Sequence, residues 1–418
     1  MVKKDAMKTW VRTLWRRQPA WLRRLELSAL TRALAAPLDP DRPLRSGDAV
    51  VGGFFGTASG LGESARQMLR QLHALGIRAQ PANVSRFAVL EDFAAGPLWP
   101  EAASPGGIAI FHVNPDLLNL ILAAIGRQRL RHRRVVGYWA WELGVVPRHW
   151  QTALRCVDEV WVVSRFIAEA IKGERPDAKV HVVPIPVDVA GQYTEPRVDP
   201  LPQFRGRPVV LFAYDVRSTP SRKNPEAVVE AFRRATAGDP TPVLVLKINN
   251  ETAWPDARER LQRAIAGMNN VHVMRDLLPG DGMKNLIARA DVVMSLHRSE
   301  GFGLLLAEAM AAAKPVIATG WSGNLDFMTP HCSVLVDYRL IPVRDPYRVY
   351  NGPGALWADP DIDQAAAALR HLLAHPAERR ALGQAARAHA AQVFSPARWR
   401  AALPESFWQS LAEARRPP

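Results

Sequence analysis

At 418 residues the chain is longer than one ordinary domain, and 48% hydrophobic with 22% charged residues is a globular mixture, which excludes a wholly disordered, collagen-like or disulfide-scaffold protein. Its two cysteines, Cys156 and Cys332, are far apart and belong to no Cys/His cluster, which argues against a structural zinc site and for a reducing compartment. The net charge of +14 calls for an anionic partner, and its distribution narrows the class of partner.

Half of that charge lies in residues 1–34, where nine Lys and Arg face two acids. Met7, Trp10, Val11 and Leu14 form an apolar stripe at helical spacing, and Lys4, Lys8, Arg12 and Arg16 recur four apart on another face. Pro19 breaks this helix, and Trp21, Leu22 and Leu25 continue its apolar character. A short basic helix with tryptophans suits an anionic membrane surface. No apolar run reaches 18 residues and no signal-peptide core is present, so the segment is expected to lie on a membrane and the protein to be cytoplasmic. No nucleic-acid motif accompanies the charge, which argues against a nucleic-acid partner.

After this N-terminal segment (1–46), short β-branched runs alternate with helical patterns. Strands are predicted at 48–55, 107–113, 134–139, 158–163 and 179–185, with helices at 61–75, 115–126, 147–156 and 164–173. Residues 191–207 are rich in proline and read as a linker between a first lobe (47–190) and a second (208–385). The second lobe is predicted to hold strands near 209–214, 242–248, 271–274, 291–296, 315–319 and 333–337. Its helices are predicted at 224–235, 256–267, 282–290, 303–313 and 362–374, and a helical tail follows (386–418). Alternation of this kind predicts two α/β doubly wound lobes with a cleft between them.

Four motifs fall where such lobes place ligands, at the carboxyl ends of strands. The first is VGGFFGTASGLGESARQ from residue 51, whose Gly-rich turn offers Ser59, Gly60 and Gly62. The second set comprises FHVNP, with His112, and GYWAWE, with Glu142. The third is YDVRSTPSRKNP from 214, where Lys223 and either Arg222 or Arg217 sit at the mouth of a strand–helix connection and can neutralise a diphosphate. The fourth and most specific is DVVMSLHRSEGFGLLLAEAM from 291. A buried strand runs into a polar loop, a Gly-Phe-Gly turn and an apolar helix whose first amides suit a phosphate. Glu300 lies in that loop, and Glu308 lies inside a helix so apolar that its carboxylate needs a partner. A further basic run, Arg127 to Arg134, reads as a solvated loop facing away from the cleft and adding to a membrane-facing charge.

With its E-x7-E spacing around the GFG turn, the 291–328 block resembles the retaining GT-B glycosyltransferases of family 4, the glycosyl transferases group 1. The likeness extends over about 47–395. It implies a GT-B fold and a metal-independent hexosyltransferase that needs no cofactor beyond its nucleotide-sugar donor, GDP-mannose or a UDP-hexose. It also implies that Glu308 holds the ribose, that Glu300 contacts the donor sugar or adjoining backbone, and that the amides of Phe302, Gly303 and Leu304 hold the diphosphate. Lys223 with a second basic residue would stabilise the leaving group, and the glycine turn would reach the cleft. Many relatives carry a histidine after the strand that here ends in Tyr-Trp-Ala-Trp-Glu, so the polar group on the acceptor side is Glu142 or His112. Joined to the basic N-terminus, the resemblance points to a polyprenyl-diphosphate-linked glycan acceptor in surface or exopolysaccharide synthesis, on the inner face of the plasma membrane. A sugar-nucleotide epimerase or phosphorylase, or a non-catalytic assembly partner, could use the same lobes.

Overall fold

The computed structural model describes residues 29, 33, 37–87, 96–278 and 280–411, so the membrane-binding helix expected in residues 1–34 lies outside the described residues apart from two positions. The first lobe is built from β1 (Asp48–Gly53), α1 (Gly60–Ala74), β2 (Ala79–Asn83), β3 (Gly106–Phe111), α2 (Pro115–Ile125), α3 (Arg127–Leu130), β4 (His132–Trp139), α4 (Trp150–Leu154), β5 (Glu159–Val162), α5 (Arg165–Glu174) and β6 (Val180–Val182). Its strands form one parallel sheet in the order β2-β1-β3-β4-β5-β6, with Val50 opposite Gln80 on one side and Ala109 on the other. β1, β3 and β5 are buried along their whole length, as expected of parallel strands covered by helices on both faces.

The second lobe repeats the plan. It contains β7 (Val209–Asp215), α6 (Pro220–Lys223), α7 (Pro225–Thr236), β8 (Val243–Asn249), α8 (Pro255–Ala264), β9 (Val271–Met274), α9 (Gly282–Arg289), β10 (Val292–Ser295), α10 (Leu304–Ala311), β11 (Val316–Thr319) and β12 (Val334–Val336). The sheet order is β12-β11-β10-β7-β8-β9, again parallel. An antiparallel hairpin, β13 (Tyr338–Pro342) and β14 (Leu356–Pro360), then precedes α11 (Ile362–Ala374), α12 (Pro376–Val393), α13 (Pro396–Ala402) and α14 (Glu405–Ser410). The last helices return to the first lobe. The Trp399 indole donates to the Pro184 carbonyl (2.9 Å), Ser406 Oγ donates to the Glu159 carboxylate (2.8 and 2.9 Å), and Phe407 is buried against Trp161.

Both strand orders reverse direction at one point, between β1 and β3 in the first sheet and between β7 and β10 in the second. Loops leaving neighbouring strands at such a point diverge and open a crevice. The connections after β1, β3, β7 and β10 carry Ser59–Gly62, His112, Arg222–Lys223 and Glu300–Gly303 respectively, so topology alone delivers these motifs to the crevices.

The structure corrects the reading of the 127–134 run. It forms α3 and the start of β4, not a solvated loop. Arg127, Arg129 and Arg131 are exposed, but Arg133 is wholly buried, with Nη2 3.0 Å from Asp48 Oδ1 on β1. Arg134 contacts Ser410 Oγ (3.1 Å). Burial would raise the Asp48 carboxyl, but hydrogen bonds from Ser104 and Arg133 reverse this and leave it below its ordinary value. An interior arginine is tolerable here because its partner is itself held by hydrogen bonds.

Candidate active site

The turn carrying Arg222 and Lys223 is a four-residue helix bracketed by two residues with positive φ, Thr219 (61°) and Asn224 (57°). A β-branched threonine there is strained, and strain of this kind persists only where neighbours over-determine the backbone. Here the Asn224 side-chain amide donates to the Leu296 carbonyl at the end of β10 (3.0 Å), and the Arg298 amide donates to the Arg222 carbonyl (2.8 Å). The two loops of the second crevice are therefore locked together.

Glu300 lies where they meet. Its carboxylate accepts from the Lys223 ammonium and lies 3.2 Å from Arg222 Nη1, while its amide donates to Ser322 Oγ (2.8 Å). Burial would raise the Glu300 pKa, but Lys223 and Arg222 overturn that and hold it at about 2. Arg222 is itself buried, donates to the Ser299 carbonyl (2.7 Å) and reaches Glu142 of the first lobe (3.5 Å). It organises the two carboxylates from behind, whereas the Lys223 side chain keeps 18% of its surface exposed. An ammonium has three donors and Glu300 engages one, which leaves capacity for a ligand oxygen. Arg217 is placed differently: its guanidinium forms a fork on Asp215 (2.8 and 3.2 Å), so its charge is already neutralised.

Beyond Glu300 the chain makes the predicted tight turn. Gly303 has φ of 90°, a left-handed conformation that favours glycine, and α10 starts at Leu304. A Cβ on Gly323 would come within 1.9 Å of the Gly301 carbonyl, so glycine permits the neighbouring loop to press against the turn. Phe302 is buried against Phe327 and Phe394 and anchors the turn from below. The start of α10 thus follows directly on the turn after Glu300, the partner of Lys223, and amides at a helix start lack intrahelical acceptors.

Glu308, one turn further on, makes no ion pair among the described residues, although the charges of Lys284 and Arg70 reach it. Its Oε1 accepts from Gln67 Nε2 of α1 at 3.2 Å, a hydrogen bond across the cleft. Burial, reinforced by the negative charge of Glu63, pushes its pKa up to about 8. Other cross-cleft bonds run from Ser164 Oγ to the Gly301 carbonyl (2.7 Å) and from the Arg165 amide to Asp326 (2.8 Å).

On the first lobe, Ser59 caps α1 by accepting from the Gly62 amide (3.2 Å), and Arg66 donates to the carbonyls of Phe55 and Thr57, which fixes the Gly-rich turn with Gly60 at its exposed tip. His112 is fully buried, with Nδ1 3.0 Å from Ser64 Oγ and its ring stacked on Tyr138. Burial depresses its pKa to about 3, so it is a neutral imidazole at working pH. Glu142 is the more accessible of the two acceptor-side candidates, with 20% of its side chain exposed, and it is charge-paired to Arg222. Gln67 lies within the first motif but was not among its candidates, and Tyr350, whose hydroxyl donates to Glu142 Oε2 at 2.9 Å, lies in none of the motifs. One signal was available for Tyr350: the 24 residues between the last predicted strand and helix 362–374 are long for a plain connection.

A cavity of about 410 Å³ lies beside the α6 turn, lined by Ser221, Arg298, Ile341, Pro342, Arg344 and Trp357. Among the described residues, the side chains spaced to hold a metal ion are His371, His375 and Glu378, exposed at the α11–α12 junction and separate from the cleft residues.

Residues 204–389 match the family Glycosyl transferases group 1. No curated protein matches the chain. Among solved structures, Anabaena HepE in complex with UDP-glucose is 16% identical, with 85% of this chain and 97% of HepE covered at a TM-score of 0.61. The sucrose-phosphate synthase of Thermosynechococcus elongatus is 18% identical, with 86% and 96% covered at 0.58. A mutant S. aureus TarM, in complex with Fondaparinux, alpha-GlcNAc-glycerol and UDP, is 12% identical, with 72% of this chain covered at 0.52; this chain spans 55% of TarM. At these identities the likeness is one of fold: two Rossmann-like lobes in the GT-B arrangement.

Proposed function

With residues 204–389 carrying the pattern of the glycosyl transferases group 1, we propose that this chain is a retaining, metal-independent hexosyltransferase. It takes a nucleotide-diphospho-sugar, GDP-mannose or a UDP-hexose, and transfers the sugar to a membrane-associated, polyprenyl-diphosphate-linked glycan in surface or exopolysaccharide synthesis. The observation that carries the reading is the convergence of Lys223, Glu300 and the start of α10 at the crevice of the second lobe, with Glu142 brought to the same cluster from the first. Solved relatives of the same fold hold UDP or UDP-glucose.

In this reading the ribose hydroxyls replace Gln67 on Glu308. The diphosphate lies against the amides of Phe302, Gly303 and Leu304 and the ammonium of Lys223. As the glycosidic bond breaks, negative charge grows on the departing diphosphate, and fixed donors there lower the barrier without reorganising. The same diphosphate accepts the proton of the incoming hydroxyl, and Glu142 orients that hydroxyl. Arg222 holds Glu142 and Glu300 in register.

The experiment is a thermal-shift screen of the full chain against UDP, GDP, ADP and their sugars. The matching nucleotide raises the melting midpoint, since a ligand at 100 times its Kd adds about 2.7 kcal/mol; a flat response across all of them would overturn the reading. Since the cation and amides of the cleft supply the positive potential, turnover should persist in EDTA. Loss on chelation with recovery on Mg²⁺ or Mn²⁺ would reassign the mechanism.

The acceptor side makes its own prediction. Deleting residues 1–34 should leave nucleotide binding intact, because the donor contacts proposed here begin at Lys223. It should release the protein from anionic liposomes and slow transfer to a lipid-linked acceptor more than to a soluble one. High salt should mimic part of the loss. A deletion that lowers the melting temperature without altering liposome co-sedimentation would show that the segment instead packs on the lobes.

A further inference from the structure

The segment between β12 and α11 carries the β13–β14 hairpin and a loop whose shape is set by its own side chains. Asp345, 2% exposed, accepts from the backbone amides of Tyr347 (3.2 Å), Val349 (2.7 Å) and Tyr350 (3.3 Å). Asn351 closes the same loop from both sides: its side-chain oxygen accepts from the Asp345 amide (2.8 Å), and its side-chain nitrogen donates to the Asp345 carbonyl (2.9 Å). A carboxylate with three amide donors makes a stiff loop. What the loop delivers is Tyr350. Its ring packs 5.3 Å from Trp141 and 6.0 Å from Trp357, with the Arg222 guanidinium 5.7 Å from its centre.

The receiving side is equally fixed. Asn114, which follows β3, accepts from the Ala140 amide (3.0 Å) and donates to the Ala140 carbonyl (2.7 Å), and the Trp141 indole donates to the Val145 carbonyl (2.8 Å). The backbone around Glu142 is therefore clamped, and only its side chain is left to be placed. Arg222 Nη2 approaches Glu142 Oε1 at 3.5 Å, too far for a strong hydrogen bond. The Tyr350 hydroxyl, at 2.9 Å, is the close donor to this carboxylate among the described residues.

We infer that Tyr350 is a positioning residue: its hydroxyl, presented by the rigid 345–351 loop of the second lobe, fixes the Glu142 carboxylate of the first lobe at the point where the acceptor hydroxyl meets the donor sugar. This rests on the transferase reading above. Glu142 carries the contact with the acceptor, and Tyr350 acts through it. The hydroxyl also ties the two lobes together on the acceptor side of Arg222, so the carboxylate is in place only when the lobes are.

Tyr350→Phe keeps the ring and its packing and removes the one donor. With the nucleotide sugar that the thermal-shift screen selects, release of nucleoside diphosphate by the full chain should fall about tenfold in kcat, the equivalent of one net hydrogen bond. Nucleotide affinity should stay at its wild-type value, and the melting temperature should fall by no more than the loss of one hydrogen bond accounts for. Glu142→Gln should cost more, and Glu142→Gln/Tyr350→Phe should be no slower than Glu142→Gln alone, since the tyrosine acts through the glutamate. Three results would overturn the inference: wild-type kcat in Tyr350→Phe, equal factors lost with and without Glu142, or a lower melting temperature with kcat retained. Failure of the wild-type chain to turn over any nucleotide sugar is a different outcome, which removes the transferase reading and this role with it.

Discussion

Lys223→Ala is expected to lower kcat about 100-fold or more while raising the donor KM by a smaller factor. Among the described residues of the cluster, Lys223 is the cation that pairs with Glu300 while keeping 18% of its side chain exposed, since Arg222 is buried behind Glu300 and Arg217 is closed on Asp215. Its charge matters most when the diphosphate is leaving, so the loss should appear in turnover before it appears in binding. Burial lowers the Lys223 pKa, and the adjoining Glu300 carboxylate opposes that shift and favours the charged form. Removing the lysine leaves Glu300 paired with Arg222 at 3.2 Å, so the carboxylate is not stranded and the fold should survive. Steady-state kinetics beside a thermal melt checks this. A variant with wild-type kcat would remove Lys223 from the reaction.

Glu308→Ala is expected to weaken binding of the free nucleoside diphosphate by about 1–3 kcal/mol, or roughly 5- to 150-fold. The same site predicts a pH dependence. With the carboxyl pushed up to about 8, the free protein holds Glu308 largely protonated at neutral pH, whereas ribose hydroxyls that donate to it favour the ionised form. Nucleotide affinity should therefore rise between pH 7 and 9 in the wild type and stay flat in Glu308→Gln. Stability runs the other way. A carboxyl whose folded pKa lies above its ordinary value of 4.5 contributes fully below that value, and its contribution falls as pH rises towards about 8. Glu308→Gln should accordingly gain melting temperature relative to wild type as pH rises from 5 to 8. Calorimetry showing unchanged nucleotide affinity in the alanine variant would remove Glu308 from the ribose site.

Much of this is legible in the sequence. Buried strands such as Val209–Asp215 and Val243–Asn249 read clearly because a parallel strand covered on both faces is a continuous apolar run. The loop after β10 was legible because glycine, carboxylates and an apolar helix occur in one short stretch, and the family resemblance gave those residues their roles. β2 was missed because Ala79–Asn83 contains a proline and no β-branched residue, and it becomes a strand only by pairing with β1 at the sheet edge. Arg133 read as surface because its partner Asp48 lies 85 positions earlier, and only the sheet order brings them together. Tyr350 and Gln67 were hidden for the same reason. Each is an ordinary residue of its own segment, and its meaning comes from a carboxylate on the opposite lobe.

The most direct test of the account is proton NMR of a nucleotide sugar that stabilises the full chain, incubated with that chain and vesicles bearing a polyprenyl-diphosphate-linked glycan. The donor's anomeric signal should fall in step with release of nucleoside diphosphate, and a new anomeric signal of the same configuration should appear. A donor that stabilises the protein yet remains unconsumed would contradict the transferase reading.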